Sequence, residues 1–185
     1  NHAGTTPMQY RKDAVTAASR LISLLTEKAK EVDPGLVATV GRLQVKPNVP
    51  NVVAGEVEFS LDIRHHQDHV IDQYSSEIFA EFERVTKYLD VDLSISKWMD
   101  VKPVKMDEQL GLWARELAER KNIHYQEMIS GAGHDAQVFG NVCPTSLLFV
   151  PSQKGISHSP SEFTCLEDLE VGIDILSEVL YKLAY

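Results

Sequence analysis

The sequence predicts a mixed α/β chain of the α+β kind, with a ferredoxin-like unit of helices and strands followed by a smaller α/β segment. Three observations predict it. Four stretches carry apolar residues three, four or seven apart, the spacing of one helical face. Residues 56–64 alternate apolar and polar side chains, as a half-buried strand does. Around residues 100–105 three charged residues and a proline interrupt both periodicities, which places a division there, between 1–102 and 103–185.

The elements follow in order. Ala14, Ala18, Leu21, Leu25 and Val32 form one stripe, so residues 13–32 read as a helix. Residues 36–45 are rich in β-branched types and lead through Pro47-Asn48-Val49-Pro50 to the alternating run Val57, Phe59, Leu61, Ile63, a pairing that reads as a hairpin. Ile71, Tyr74, Ile78, Phe82 and Val85 mark a second helix, and residues 91–98 a further strand. Helix, strand, strand, helix, strand is a βαββαβ unit without its first strand. Beyond the break, Leu110, Trp113 and Leu117 mark a short helix, and residues 145–150, between Pro144 and Pro151, read as a short buried strand. Leu169, Ile173, Leu176, Leu180 and Leu183 mark a last helix, with Thr164 and Glu167 spaced as a capping box. This second segment is too small to make a well-packed domain alone.

Composition narrows the classes. Hydrophobic residues make up 43% of 185, enough for a core, and no run reaches the roughly 20 apolar residues of a membrane span. A net charge of −9 repels phosphate backbones, so nucleic acid is not an expected partner, and no membrane association is expected either. The start lacks a basic region followed by an apolar one and does not read as a signal peptide. Cys143 and Cys165 make no disulfide framework; two reduced thiols in a cytoplasmic protein is the expectation.

Motifs are sparse. Of the seven histidines only His65 and His69 fall four apart, without the Glu of an H-E-x-x-H zinc motif, and neither C-x-x-C nor G-x-S-x-G occurs. Two loops concentrate unusual residues. Residues 130–136, Ser-Gly-Ala-Gly-His-Asp-Ala, let backbone approach a ligand closely and set His134 where a helix would start. Residues 155–162 place His158 in a turn-rich loop after the buried strand, where α/β folds carry ligands. Each residue also has a plain structural reading. Arg64 at a strand end is ordinarily a solvated charge, and Asn51 a turn residue. His65, His66 and His69 at a strand–helix junction read as polar surface. Composition and spacing leave the function open.

Taken together and in order, four segments resemble a known family. They are residues 1–8 (Asn-His-Ala-Gly-Thr-Thr-Pro-Met) with 11–14 (Arg-Lys-Asp-Ala); 50–55 (Pro-Asn-Val-Val-Ala-Gly) with 61–64 (Leu-Asp-Ile-Arg); 130–136; and 156–160 (Ile-Ser-His-Ser-Pro). They look like the metallopeptidase-like, M20-type amidohydrolases, the group of allantoate amidohydrolase, N-carbamoyl-L-amino-acid hydrolase and β-ureidopropionase-type enzymes. Trp98-Met99-Asp100 with Pro103-Val104, and residues 133–137, look closer to the allantoate branch.

The resemblance implies a catalytic α/β domain carrying two divalent metals, Mn²⁺ or Zn²⁺, with a smaller lid or dimerisation domain inserted in it. Residues 1–102 would be the lid, and 103–185 the C-terminal part of the catalytic domain. Most of the family's metal ligands, and its general-base Glu, fall in upstream motifs with no counterpart here. Only the last ligand matches, His158. The chain is therefore expected to be a truncated piece whose own metal site is absent or incomplete. His2 matches the residue that reaches the reaction's oxyanion from the lid of a partner subunit. Arg64 matches the residue gripping the substrate carboxylate, a task suited to a planar fork. Asn51 and the backbone near Gly133 match further substrate contacts, and His134 a contact to substrate or to a ligand. In the whole enzyme the metals would acidify a bridging water that attacks a ureido carbonyl. The expected substrate is a small carboxylate-bearing ureido compound, foremost allantoate, giving ammonia, carbon dioxide and ureidoglycine or ureidoglycolate. A homodimer through the lid is implied.

Two competing readings stand beside it. One is an N-carbamoyl-L-amino-acid hydrolase or related peptidase of the same architecture. The other is a non-catalytic dimerisation module, since helices and edge strands can pair across a two-fold. The isolated 185-residue chain, assayed with Mn²⁺ or Zn²⁺, is expected to be inactive. An RNA-binding ferredoxin-like sheet is disfavoured by charge and by the lack of an aromatic platform.

Overall fold

The computed structural model describes residues 1–185, which divide into two compact units, Asn1–Pro103 and Val104–Tyr185. The first holds helix α1 (Ala14–Val32), strands β1 (Val37–Thr39), β2 (Leu43–Lys46), β3 (Glu56–Phe59) and β4 (Asp62–Arg64), and helix α2 (Asp68–Leu89). The second holds α3 (Glu108–Arg120), the single-turn α4 (Asp135–Phe139) and α5 (Leu166–Ala184).

Asp13 starts α1: its carboxylate accepts from the amides of Val15 at 2.9 Å and Thr16 at 3.2 Å, two of the donors a helix start leaves unpaired. Leu21, Leu25 and Ala29 of α1 then pack with Leu36 and with Val70, Tyr74, Ile78 and Phe82 of α2 in one buried cluster. Tyr74 sits fully inside it and spends its hydroxyl on the Leu25 carbonyl at 2.6 Å. Burial pushes that phenol up to about 12. Asp90 ends α2 in the left-handed conformation (φ 52°), and the Lys12 ammonium pairs with its carboxylate.

The expected hairpin is present but broken. β1 pairs antiparallel with β4 (Val37 opposite Arg64) and β2 with β3 (Leu43 opposite Phe59). Between the two ladders, three residues (Val40, Gly41, Arg42) face two (Ser60, Leu61), an extra residue on the first strand of the kind that makes a β-bulge. Ser60 bridges the gap, its amide donating to the Arg42 carbonyl at 3.0 Å and its hydroxyl accepting from the Arg42 amide at 3.0 Å. The bulge flips the side-chain phase of the first strand. Leu36, Ala38 and Val40 take the inward phase before it, and Leu43 and Val45, opposite Phe59 and Val57, take it beyond, although Leu43 itself is half exposed. The second strand keeps its phase throughout, with Phe59, Leu61 and Ile63 against the helices.

Two expected strands do not form. Residues 91–98 keep Leu93 against the core but join no ladder, and residues 145–150 make none either, with Leu148 and Phe149 about half exposed. Alternation and apolarity are necessary for a strand, but a ladder also needs a neighbour, and neither run has one. The capping box at Thr164 is displaced by one residue: Cys165 is the N-cap, and its thiol donates to the Asp168 carboxylate at 3.0 Å. Both cysteines are free thiols. No helix of the chain is long and apolar enough to cross a membrane.

The second unit has a thin core. Leu117 and Ala118 of α3 meet Ile175 of α5, flanked by Ala114, Ile123 and Val179. The stripe that marks α5 in the sequence lies on another face: Ile173 is 62% exposed, Leu176 48%, and Leu180 and Leu183 54% each.

Candidate functional site

In the first unit the N-terminal segment lies along the hairpin loop. Val53 donates its amide to the Asn1 carbonyl at 2.8 Å and Ala3 its amide to the Asn51 carbonyl at 2.8 Å, so His2 forms an antiparallel bridge with Val52. The backbones of His2 and of the Asn51–Val52 loop, far apart in sequence, thereby run side by side. The segment then turns, with Thr5 and Thr6 donating to the His2 carbonyl at 3.4 and 3.3 Å, and Gly4 donating to His2 Nδ1 at 3.0 Å. Arg11, half-buried, closes the turn from below: Nε donates to the Thr6 carbonyl at 2.9 Å and Nη2 to the Ala3 carbonyl. Ala14, at the first turn of α1, donates to the Ala54 carbonyl at 3.1 Å. The arm is thus tied to both the loop and the helix. An open depression of about 450 Å³ beside it is lined by Ala3, Arg11, Val45, Asn48, Val53 and others.

Arg64 stands elsewhere. As the last residue of β4 it pairs with Val37, at the end of the hairpin remote from the Asn51 loop. Nine steps along the chain separate it from Gly55, which at about 3.3 Å each amounts to at most about 30 Å. Its guanidinium holds Asp62 through two bonds, Nε to Oδ1 at 2.9 Å and Nη2 to Oδ2 at 2.7 Å. That fork holds the Asp62 carboxyl below its ordinary range and raises the guanidinium in turn. The first unit therefore brings His2 and Asn51 together and leaves Arg64 apart.

The histidine trio is not a uniform polar surface. The His65 side chain is fully buried: Nδ1 accepts the Gln67 amide at 3.1 Å and Nε2 faces Asp33 at 3.2 Å, while the ring lies 4.2 Å from that of His66. Asp33 also accepts the Gly35 amide at 2.6 Å, and that bond, then His65, holds its carboxyl below the usual value. His65 fastens the strand end to the end of α1, which is a structural task.

In the second unit, His134 is the N-cap residue of α4, half-buried, with Nε2 2.8 Å from the Ser130 hydroxyl and its ring edge-on to Phe149 at 5.4 Å. Gly133 is exposed, and a Cβ there would meet only Gln137 at an ordinary 3.7 Å, so sterics within this unit do not demand glycine. His158 occupies the left-handed region (φ 56°), exposed, with its amide donating to the Glu162 carboxylate at 2.8 Å. A β-carbon in that region costs on the order of 1 kcal/mol, so the loop holds His158 in a shape that exposes its ring. No three His, Cys, Asp or Glu side chains gather where they could hold a metal ion. The residues of this chain do not by themselves fit a metal pair, and His158 offers a single imidazole.

Gly4 and Arg11 stand within the segments that carry the family resemblance, but sequence reasoning gave neither of them a role.

A model of the family described as Peptidase family M20/M25/M40 matches residues 6–182. The chain belongs to peptidase family M20/M25/M40. This M20 chain is 44% identical over 185 residues to the allantoate amidohydrolase of Bacillus subtilis (strain 168), covering 100% of itself and 45% of that protein. It is 36% identical over 187 residues to the N-carbamoyl-L-amino acid amidohydrolase of Geobacillus stearothermophilus, covering 99% of itself and 44% of that protein. Among solved structures, an amidase of the hydantoinase/carbamoylase family from Burkholderia multivorans superposes with a TM-score of 0.89 at 37% identity, over 97% of this chain and 44% of that one. The M20 chain thus spans somewhat less than half the length of these relatives.

Proposed function

We propose that this chain serves a metal-dependent amidohydrolase that cleaves a linear ureido C–N bond, with allantoate as the substrate. The observation that carries the choice is the 44% identity to an allantoate amidohydrolase across the whole chain, against 36% to the N-carbamoyl-L-amino acid enzyme. The fold similarity to a hydantoinase/carbamoylase-family amidase favours N-carbamoyl amino acids as the second reading. Both substrates pair a ureido carbon with a carboxylate, so both readings use the same residues here.

His2 would donate from its ring to the oxyanion that forms as the ureido carbonyl is attacked. A resonance-weakened electrophile makes such a preset donor worth most in the transition state. Asn51, adjacent to it, would orient the ureido group, and Arg64 would grip the carboxylate with its fork. Gly133 and His134 would contact substrate in the second unit, and His158 would give one imidazole to metals whose other donors lie outside this chain. A separation on the order of 30 Å is too great for one small substrate to touch His2 and Arg64 of the same copy. That supports a homodimer in which the His2–Asn51 arm of one copy completes a site whose Arg64 comes from the other. Residues 1–102 would then be the lid and dimerisation domain, and 103–185 part of the catalytic domain. Closure driven by the carboxylate would expel water from the site.

The test is ammonia release from allantoate by the protein carrying this chain at its relatives' length, beside hydrolysis of N-carbamoyl-L-amino acids. A higher kcat/KM on allantoate is expected. Activity confined to N-carbamoyl amino acids would move the assignment to the second reading.

A further inference from the structure

The proposed donor role of His2 needs a proton on the outward-facing ring nitrogen, and this inference rests on that role. A backbone amide can only donate, so the Gly4 N–H, 3.0 Å from His2 Nδ1, requires that nitrogen to be an unprotonated acceptor. The proton of the neutral ring then sits on Nε2. His2 is exposed, and Nε2 makes no hydrogen bond within the chain, so it is available as a donor.

What keeps Gly4 in place is the turn through residues 2–6. Its own bonds are weak: Thr5 and Thr6 reach the His2 carbonyl at only 3.4 and 3.3 Å, near the limit of a hydrogen bond. The stronger ties come from Arg11, whose Nε and Nη2 hold the carbonyls of Thr6 and Ala3 on either side of the turn. Two carbonyls three residues apart suit a planar guanidinium with fixed N–H directions, and one ammonium group would not span them in the same way. The arginine is itself anchored, because it precedes the Asp13 cap and the Ala14–Ala54 bond by only a few residues. Space is tight as well: a Cβ on Gly4 would lie 3.2 Å from His2 Cε1.

We infer that Arg11, through the Gly4 amide, is a positioning residue that fixes His2 as the Nε2–H tautomer and so presents it as a hydrogen-bond donor. Nothing in this role requires Arg11 to touch substrate.

The experiment is nuclear magnetic resonance of isotope-labelled histidine in the protein at its relatives' length, with His2 assigned by the signal lost in His2→Gln. In the unmodified protein His2 should show a protonated Nε2 and an unprotonated, hydrogen-bonded Nδ1. In Arg11→Gln the two nitrogens should move toward the averaged pattern of a free imidazole, while kcat on the ureido substrate falls about 10-fold with KM little changed. Arg11→Lys, which keeps charge and stem, should lie between the two, and covers the case in which Arg11→Gln fails to fold. A proton on Nδ1 in the unmodified protein overturns the inference. So does a His2 pattern that either folded Arg11 variant leaves unchanged, whatever happens to the rate. A lost pattern with unchanged kcat supports the positioning role and instead removes His2 from the proposed chemistry.

Discussion

At Arg64 the guanidinium is held by Asp62 through both Nε and Nη2, so a substrate carboxylate has to displace a neighbour two residues away. Arg64→Ala is expected to raise KM by about 10- to 100-fold, the worth of charge-assisted hydrogen bonds of about 1.5–3 kcal/mol, with a smaller effect on kcat; steady-state kinetics checks it. Asp62→Asn removes the competitor and is expected to lower KM up to about fivefold, the scale of a surface ion pair. The same pair has a pH signature. Because Arg64 depresses the Asp62 carboxyl, its contribution to stability is complete above the unfolded value and is lost as pH falls through the lower folded one. The difference in Tm between the unmodified protein and Asp62→Asn should therefore stay constant from about pH 5 to 8 and shrink below about pH 4. The pair is half exposed, so the whole difference corresponds to no more than about 1 kcal/mol. At this scale the sequence was legible only in part. His2, Asn51 and Arg64 stood out through family motifs, but no local pattern shows that an N-terminal segment and a hairpin loop meet. Nor does one show that Arg11 reaches back over eight residues to Ala3.

Among the elements, α1 and α2 were legible because their apolar stripes are the faces that pack, with Leu21, Leu25, Tyr74, Ile78 and Phe82 all buried. The hairpin was legible as a pair and not as two ladders. Gly41 sits at the bulge without a side chain to mark the phase change, so the apolar run through residues 36–45 looks continuous although its inward positions shift from 36, 38 and 40 to 43 and 45. At the last helix, Thr164 has the right chemistry for a cap, but the N-cap falls one residue later, at Cys165. Caps give a sharp comparison. Asp13→Ala should cost about 1 kcal/mol, because two amides lose their acceptor, whereas Thr164→Ala should change stability by less than about 0.5 kcal/mol; denaturant melts of both variants check this.

For the molecule as a whole, the two units differ in how much they bury. The first gathers Leu21, Leu25, Ala29, Leu36, Val70, Tyr74, Ile78 and Phe82 in one cluster, while the second buries only Leu117, Ala118 and Ile175 between its long helices. The apolar residues of α5 cover more of the helix than the strip that meets α3, and the exposed Leu176, Leu180 and Leu183 favour burial against further polypeptide in proteins of the relatives' length. Leu180→Asp should then be nearly silent in the 185-residue chain, within about 0.5 kcal/mol, and cost about 3 kcal/mol or more at the relatives' length; thermal melts of both forms separate the cases. The same logic explains residues 145–150. Their apolar sequence was readable, but a strand exists only where another strand lies beside it. Recognition of an acidic ureido substrate by residues of this chain is the property on which the proposed function depends. The most direct measurement is ammonia release from allantoate by the protein at its relatives' length, unmodified beside Arg64→Ala. Turnover is expected from the first and, for the second, a half-maximal rate reached only at about 10-fold or more higher substrate. No ammonia from the unmodified protein, or an unchanged KM in the variant, would contradict it.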